Sequence, residues 1–359
     1  MKKALTILLL PILAINLVVA LLLVCCAYSP MLPAEQIPLL SLAGLAFPFV
    51  LTANIFFLFF WLFVYRRYLW LPIVTLLACS VQIYTFFPIN FNQQDAPKNS
   101  LKVLSYNILS SNILSVKVDK ENPVINYLEE ADADIICLQE VYFSFLKKQK
   151  NLLTQYPYKS YMVSKEIDEA ANCLACLSKY PILSVEKLKF NGTTNGCRKY
   201  RILHEGDTIV VYNCHLQSNG MDSEDKSAYE QILSNPKNSI RSKDTKELVK
   251  KLRDSAAKRA SQTDIVAADI KKETSPHIIV CGDFNDSPIS YTCKQLKEQL
   301  ADAFVNSGNG PGISYNRHRL YYRIDHILHS PQFKSYDCTV DRSIKASDHY
   351  PIFCFLKKK

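Results

Sequence analysis

The first 90 residues are mainly apolar and contain three stretches without a charged residue. These stretches are Ala4–Ala27, Leu39–Tyr65 and Leu69–Phe87. Each is close to, or longer than, the roughly 20 residues that a helix needs to cross the hydrocarbon core of a bilayer. A signal peptide is the alternative for the first stretch, because Lys2 and Lys3 precede it, but its apolar run exceeds the usual ~7–15 residues. The pattern therefore predicts three membrane-spanning helices.

The charged residues that flank these stretches predict their orientation. Lys2 and Lys3 precede the first stretch, and Arg66 and Arg67 separate the second from the third. Between the first and second stretches the charged residue is Glu35. Positive flanks favour the cytoplasmic side of a membrane. We therefore expect an integral membrane protein of the plasma or inner membrane, with everything after the third span on the extracytoplasmic side.

From Leu101 the pattern changes to short β-prone runs separated by longer, charged stretches. The runs are Leu101–Tyr106, Ile135–Leu138, Thr208–His215, His277–Cys281, Arg323–Leu328 and Pro351–Leu356. Apolar residues recur at helical spacing in Asn122–Ala131 and Lys243–Lys272. Short apolar strands mixed with helices predict a layered α/β or α+β domain in which helices cover the sheets.

These patterns divide the chain into a transmembrane region (1–90), a polar linker (91–100) and a soluble domain (101–359). The formal net charge of the 359 residues is +9. Residues 1–90 hold four basic residues and one acidic residue, which leaves 38 basic and 32 acidic residues in the rest. This mild excess favours a polyanion or an anionic membrane surface, but it is equally typical of an ordinary soluble surface.

The cysteines indicate core packing and leave one redox question open. Among the 12 cysteines, Cys137, Cys214 and Cys281 lie in apolar runs and are predicted to be small core residues. Cys173 and Cys176 form a CxxC pair, without a second pair or histidine cluster at the spacing of a zinc site. Whether these two form a disulfide depends on the compartment that the domain faces.

Polar side chains cluster where the β-prone runs end. The endings are Ser105-Tyr106-Asn107, Gln139-Glu140, Asn213-Cys214-His215, Asp283-Phe284-Asn285, Asp325-His326 and Ser347-Asp348-His349. Layered α/β folds build their sites at the carboxyl ends of strands. Each ending alone is typical of a turn, a cap or a structural histidine. Their order and spacing together are more specific than any one of them.

In that order the endings resemble the motifs of the endonuclease/exonuclease/phosphatase superfamily, which includes DNase I-like nucleases, abasic-site endonucleases, inositol-polyphosphate 5-phosphatases and neutral sphingomyelinases. The resemblance covers about Leu101–Leu356 and rests on SYN, LQEV, NCHL, GDFN, RIDHI and SDHYP. It implies a four-layer α/β sandwich of two packed β-sheets flanked by helices, here preceded by a three-helix transmembrane region. It also implies a metal-dependent phosphoesterase, a hydrolase acting on ester bonds.

The resemblance implies a metal site. Glu140 matches the principal metal-binding glutamate, Asn107 the asparagine that positions metal and phosphate, and Asp348 a second carboxylate on the metal side. Carboxylate oxygens suit a hard divalent ion, so we expect Mg²⁺, with Mn²⁺ as the alternative. Such an ion polarises the phosphoryl group and offsets charge on the leaving oxygen.

The same resemblance assigns the residues around the phosphorus. His349 matches the histidine beside it, and Asp325 the carboxylate that orients this histidine, acting as base or as electrostatic partner. Asp283 and Asn285 match the pair that orients the attacking water and the phosphate. His215 matches the histidine that donates to a phosphate oxygen or serves the leaving group. The implied reaction is in-line attack of water on a phosphoester, without a covalent enzyme intermediate.

Three functions stay open at this point. A phosphodiesterase of the endonuclease type is favoured. For Arg198 and Arg201, surface solvation is favoured over the alternative of phosphate contact. A phospholipid or sphingolipid phosphodiesterase or phosphatase is the alternative, because the membrane region would hold the site near lipid. A catalytically inactive binding module is disfavoured, because every motif position is filled. The expected partners are the bilayer and a nucleic-acid or phospholipid substrate, and the oligomeric state is undetermined.

Overall fold

The structure is a computed structural model. It describes residues 2–32, 37, 42–91, 95–109, 122–141, 153–161, 173–190, 193, 195–221, 223–234, 242–317 and 320–359. The N-terminal part contains helices α1 (Lys2–Tyr28), α2 (Ala43–Val64), α3 (Trp70–Ala78) and α4 (Ser80–Phe86). Short 3₁₀ turns cover Ser29–Met31 and Arg66–Tyr68.

The first two predicted spans are long apolar helices, and the third is broken. By length and composition α1 and α2 are each able to cross a membrane, whereas α3 and α4 meet at a bend of 61°. The 9 residues of α3 and the 7 of α4 rise about 14 Å and about 10 Å. Neither half alone crosses a bilayer core of about 30 Å. The described residues thus contain two candidate spans, or three when the bent pair counts as one.

Polar side chains inside the apolar helices bond to one another. The indole Nε1 of Trp61 donates to Oδ1 of Asn16 at 2.8 Å, and Nδ2 of Asn54 donates to the carbonyl oxygen of Val19 at 3.2 Å. Large apolar side chains such as Leu8 and Phe63 are instead 72% and 81% exposed. A bilayer favours this arrangement, in which polar groups form hydrogen bonds between the helices and apolar side chains face outward.

The soluble part is built from two mixed six-stranded sheets. The strands are β1 (Leu101–Asn107), β2 (Ile135–Val141), β3 (Tyr158–Ser160), β4 (Cys173–Ser178), β5 (Ile182–Leu188), β6 (Gly196–His204), β7 (Asp207–His215), β8 (Ile278–Asp283), β9 (Ala301–Asp302), β10 (Tyr315–Arg317), β11 (Leu320–Tyr322), β12 (Asp325–His329), β13 (Phe333–Val340) and β14 (Ile352–Lys358). The first sheet has the order β13-β14-β1-β2-β4-β3 and the second β5-β6-β7-β8-β12-β9, with β10 and β11 forming a separate hairpin. The remaining described helices are α5 (Pro123–Ala131), α6 (Ser223–Ser234), α7 (Lys243–Lys272), α8 (Tyr291–Lys297) and α9 (Ala303–Ser307).

Alternation along the strands creates separate inner and outer cores. Val103 of β1 belongs to the cluster between the two sheets, while its neighbour Leu104 packs outward with Leu128 of α5. On the second sheet, Val266 of α7 packs with Val210 of β7 in the same way. Successive strand residues point to opposite faces, so each strand is buried on both sides. Helix, sheet, sheet and helix form the four layers that the motifs imply, which confirms the predicted fold.

The predicted core cysteines are buried. Cys137 and Cys281 lie in the cluster between the sheets, and Cys214 lies under α7 and α8. Cys176 is also a free, buried thiol of the inner core. The side chain of Cys173 lies outside the described residues.

Gly282 is required by the contact between β7 and β8. Its φ is +137°, and a Cβ at this position would overlap the carbonyl oxygen of Cys214. We expect Gly282→Ala to lower the free energy of unfolding by more than about 4 kcal/mol, because backbone cannot move aside as a side chain can. Gly206→Ala is the matched control, since φ is +83° there and no atom lies within 4 Å of the added Cβ. It should cost about 1 kcal/mol in denaturant unfolding, and equal losses for the two variants would contradict this account.

The soluble domain packs against one end of the helical region. Arg323, which is buried, donates from Nη2 to the carbonyl oxygen of Thr85 in α4 at 2.7 Å. The hydroxyl of Tyr322 donates to the carbonyl oxygen of Leu45 in α2 at 3.2 Å. Leu45 lies in the first turn of α2, while Arg66–Tyr68 follows its last turn. The domain therefore lies at the end of α2 opposite the paired arginines.

Candidate active site

Neighbouring strands bring three of the predicted residues into one row. In the parallel pair of β7 and β8, His215 lies opposite Asp283. In the antiparallel pair of β8 and β12, Asp325 lies opposite the same Asp283. In the first sheet, the parallel pair of β1 and β2 aligns Asn107 with Gln139. The ends of both sheets thus supply side chains to one edge of the sandwich.

Asn107 joins the two sheets through its carboxamide. Its Nδ2 donates to Oδ2 of Asp283 at 3.0 Å and to Oε1 of Glu140 at 3.1 Å. Its Oδ1 accepts from the backbone N–H of Leu109 at 3.2 Å. In this arrangement Asn107 offers N–H groups, not its oxygen, to the space between the carboxylates. It fixes the orientation of both carboxylates.

A bulge in β2 aims Glu140 at the site. The register of β2 with β4 shifts between Leu138 and Val141, and Glu140 has a φ of +53°. Bulges turn a side chain out of the normal alternation, and a left-handed non-glycine residue costs about 1–3 kcal/mol. Gln139 turns inward instead, where its Nε2 donates to Oδ1 of Asn213 at 2.7 Å. The strained backbone conformation at Glu140 therefore directs its carboxylate toward the site.

His349 and Asp325 form a buried ion pair. Nδ1 of His349 lies 2.8 Å from Oδ2 of Asp325, and Nε2 lies 3.7 Å from Oδ2 of Asp283. Burial alone would lower the pKa of His349, but the charges of Asp325 and Asp283 raise this pKa to about 10. The Oγ of Ser314 accepts from the backbone N–H of Asp325 at 3.0 Å and holds that strand end. The imidazole is therefore held in a fixed orientation, with Nε2 directed toward Asp283.

His215 and Asn285 complete the group around Asp283. Nε2 of His215 lies 3.7 Å from Oε1 of Glu140 and 3.7 Å from Oδ2 of Asp283. This buried nitrogen has no hydrogen-bond partner among the described residues. The backbone N–H of Asn285 donates to Oδ1 of Asp283 at 2.8 Å, and its Nδ2 donates to the carbonyl oxygen of Leu216 at 3.1 Å. The histidine is thus available to a further group at the site.

The donor set fits a divalent cation. Glu140 and Asp283 share the amide of Asn107, and both line the same cleft as Asp348. Carboxylates held together at a buried position repel one another unless a cation offsets their charge. The described residues also include one geometric group, Asp283, Asp325 and His349, whose ligand atoms lie within 4.8 Å of one another. That group differs from the predicted set of Glu140, Asn107 and Asp348.

The hydrogen bonding distinguishes the two sides of the site. In the geometric group, Nδ1 of His349 is already bonded to Asp325, so the histidine and the two aspartates offset each other's charge. Glu140 and Asp348 also line the cleft, and Nε2 of His215 lies 3.7 Å from Oε1 of Glu140. Their carboxylate oxygens are suitable ligands for a hard divalent ion.

The cleft above these residues has a volume of about 260 Å³. Its acidic lining is Glu140, Asp283, Asp286 and Asp348, and its apolar and aromatic lining includes Leu45, Met221, Tyr229, Leu252, Tyr315, Tyr322 and Ile324. Neither lysine nor arginine occurs among the described residues of this lining. The cleft is thus acidic at its floor and apolar over much of its remaining wall.

Several residues outside the predicted set support the site. Arg259 bonds to the carbonyl oxygen of Gln217 at 2.6 Å and to Oδ2 of Asp286 at 3.2 Å, which holds the loop beyond His215. His326 stacks on the ring of Phe284. For His326 the sequence signal was its place in the RIDHI run.

Arg201 pairs with an acidic side chain and does not belong to the described lining of the cleft. Its guanidinium pairs with both carboxylate oxygens of Glu273, at 2.8 and 3.1 Å. Neither Arg198 nor Arg201 is among the described residues that line the cleft. Structural pairing on the outside of the second sheet accounts for Arg201.

Comparisons with known proteins match both parts of the chain. The model of the endonuclease/exonuclease/phosphatase family matches residues 104–349. A model described as a domain of unknown function matches residues 6–86. No curated protein matches the chain.

Solved structures resemble the soluble part at low sequence identity. Danio rerio TDP2 complexed with a single-strand DNA product is 16% identical, with a TM-score of 0.54 over 73% of this chain and 100% of that chain. An endonuclease/exonuclease/phosphatase family protein from Bacteroides thetaiotaomicron is 18% identical, with a TM-score of 0.52 over 72% and 97%. The human Nocturnin catalytic domain with bound sulfate is 17% identical, with a TM-score of 0.51 over 75% and 97%. At these identities the likeness shows the fold.

Proposed function

Because the chain belongs to the endonuclease/exonuclease/phosphatase family, a group of metal-dependent phosphoesterases, we propose that it is a membrane-anchored phosphodiesterase that uses direct attack by water. One observation carries the proposal: Glu140, Asp283 and His349 line the same cleft. In this proposal residues 1–90 anchor the enzyme, residues 91–100 link it, and residues 101–359 are catalytic.

Glu140 and Asp348 would hold the metal, and Asn107 would orient Glu140 and Asp283 beside it. Mg²⁺ suits these oxygen donors, and Mn²⁺ is the alternative. When bound, the ion supplies polarisation of the phosphoryl oxygens and offsets charge on the leaving oxygen. The amide contacts from Asn107 at 3.0 and 3.1 Å support a positioning role for this residue.

Asp283 is the group best arranged to orient the attacking water. One of its oxygens accepts from the backbone of Asn285, and the other faces Asn107, His215 and His349. A carboxylate so fixed accepts a hydrogen bond from water and directs the water oxygen at phosphorus. The P–O bond to the leaving alcohol breaks as the new P–O bond forms.

The two histidines would contact the phosphate. Asp325 holds His349 so that Nε2 stays on the side of the reacting group, where it donates to phosphate oxygen. His215, whose Nε2 lacks a partner among the described residues, donates to a second phosphate oxygen or to the leaving group. Donors fixed in this way stabilise charge that develops in the transition state.

The substrate class has two candidates. The motifs are of the nuclease type and favour a nucleic acid as the substrate, and one similar structure holds a single-strand DNA product. Nucleic-acid sites, however, usually carry lysine or arginine for the phosphate backbone, and the described lining of the cleft carries acids instead. A phospholipid or sphingolipid is the second candidate, favoured by the apolar part of that lining.

The membrane assignment has its own support and test. The domain lies at the end of α2 opposite Arg66–Tyr68, which agrees with basic loops on the cytoplasmic side. We therefore propose a plasma or inner membrane location with an extracytoplasmic catalytic domain. A C-terminal reporter that is active only outside the cytoplasm should be active, and activity of a cytoplasm-only reporter would contradict this orientation.

Metal removal tests the proposed reaction. We expect the purified full chain to hydrolyse bis(p-nitrophenyl) phosphate with added Mg²⁺ and to lose at least about 100-fold in rate with excess EDTA, because a metal ion contributes several kcal/mol to charge stabilisation. Added Mg²⁺ should restore the rate. Hydrolysis that persists in EDTA, or its absence under all metal conditions, would overturn the proposal.

A further inference from the structure

The second membrane helix supplies part of the wall of the catalytic cleft. Leu45, in the first turn of α2, lines the cleft together with Met221, Leu252 and Ile324. Glu140 and the other acidic residues line the same cleft. The apolar helical region therefore reaches the proposed catalytic residues and is more than a distant tether.

Close contacts hold this part of α2 against the soluble domain. The hydroxyl of Tyr322 donates to the carbonyl oxygen of Leu45 at 3.2 Å. A Cβ on the neighbouring Gly44 would lie 3.3 Å from the carbonyl oxygen of Ile289, so the two surfaces are in tight contact. Ile289 itself packs into the apolar cluster of Leu23 and Phe47. The position of Leu45 in the cleft thus follows from a packed junction.

The length of α2 places Leu45 at the surface of the bilayer. The helix has 22 residues, which corresponds to about 33 Å and matches the hydrocarbon thickness of about 30 Å. When its body crosses the membrane, its first turn lies at the interface on the side of the soluble domain. The cleft therefore borders the region where lipid headgroups and the first methylene groups lie.

The lining of the cleft favours a substrate that combines a phosphodiester group with hydrocarbon. Its floor is acidic and suited, with a divalent ion, to a single phosphodiester. The lack of lysine and arginine among the described lining residues disfavours a polyanion, and the apolar side chains beside Leu45 favour hydrocarbon. A phosphodiester that carries hydrocarbon fits both the acidic floor and the apolar wall of the cleft.

We propose that the substrate is a membrane lipid with one phosphodiester group, whose hydrocarbon part lies against Leu45 while the phosphodiester reaches Glu140 and Asp283. This proposal rests on the proposed function. In the reaction, water gives its oxygen to phosphorus, one P–O ester bond breaks, and a water proton ends on the leaving alcohol. The products are one phosphomonoester and one alcohol.

The experiment uses the full chain reconstituted in vesicles that contain phosphatidylethanolamine, phosphatidylglycerol, phosphatidylcholine and sphingomyelin, with Mg²⁺. Lipid products are measured by mass spectrometry, and hydrolysis of bis(p-nitrophenyl) phosphate and of a single-stranded oligonucleotide is measured on the same preparation. The variants are Leu45→Ala and Leu45→Trp. Phe49→Ala is the matched control, because Phe49 lies one turn farther along α2 and is 57% exposed.

We expect lipid hydrolysis by the wild-type chain and a fall of about tenfold, in both Leu45 variants, in its rate relative to that of bis(p-nitrophenyl) phosphate. Phe49→Ala should leave this ratio unchanged. Hydrolysis of the oligonucleotide without hydrolysis of any lipid, or equal ratios for Leu45→Ala and Phe49→Ala, would overturn the lipid proposal alone. If bis(p-nitrophenyl) phosphate is not hydrolysed either, the proposed function itself fails.

Discussion

Replacing His349 by alanine is expected to lower kcat/KM for bis(p-nitrophenyl) phosphate by about 1,000-fold, within the range for loss of a proton-transferring or charge-stabilising group. The imidazole is bonded to Asp325 at 2.8 Å and lies 3.7 Å from Asp283. Its removal takes away the donor that faces the phosphate and leaves two buried carboxylates without their cation. Steady-state kinetics on the purified full chain with Mg²⁺ measures the effect.

His277→Ala is the matched control for this change. His277 precedes β8, so it lies at the end of that strand opposite Asp283, and the described lining of the cleft does not include it. We expect activity within about twofold of the wild type, as for a substitution away from the reacting groups. A His349→Ala variant that keeps its fold and more than about a tenth of the activity would contradict the assigned role.

Replacing Glu140 by glutamine is expected to weaken the dependence on Mg²⁺ together with activity. The change keeps the shape of the side chain but removes the charge of a carboxylate that Asn107 orients at 3.1 Å. Because Mg²⁺ favours carboxylate ligands, we expect at least a tenfold rise in the Mg²⁺ concentration for half-maximal rate. We also expect a loss of about 100-fold or more in kcat, as is usual when a metal ion is displaced from a transition state.

A Mg²⁺ titration of the hydrolysis rate measures both effects of the Glu140 substitution. Glu130→Gln serves as the control, because Glu130 is an exposed residue at the end of α5. Its titration curve should match that of the wild type. An unchanged Mg²⁺ requirement in Glu140→Gln would place the metal with other residues, such as the geometric group of Asp283, Asp325 and His349.

The pattern of short runs predicted a layered domain of strands and helices, and the resemblance of the strand endings to known motifs implied the sandwich and the site residues. His215, Asp283 and Asp325 each end or begin a strand, and the adjacency of β7, β8 and β12 brings them together. A polar residue directly after an apolar run is visible in the local sequence. The pairing of neighbouring strands then brings such residues together at one edge of the fold.

Other features depend on contacts that a local pattern does not contain. The apolar run that includes Cys79 has no break signal, yet the helix bends there by 61° and Thr85 beyond the bend accepts from Arg323. Leu45 enters the cleft through packing with residues far along the chain. The direction of Glu140 follows from a bulge and a φ of +53°. Tertiary packing determines each of these three, so the sequence pattern alone does not reveal them.

In the proposed reaction this cleft directs water at phosphorus without a covalent enzyme intermediate. The most direct test is hydrolysis of a phosphodiester analogue that is chiral at phosphorus, by the full chain with Mg²⁺ in ¹⁸O-labelled water. Direct attack by water should leave the heavy oxygen bound to phosphorus in the product and invert the configuration at phosphorus. Retention of configuration, or heavy oxygen found in the alcohol, would contradict it.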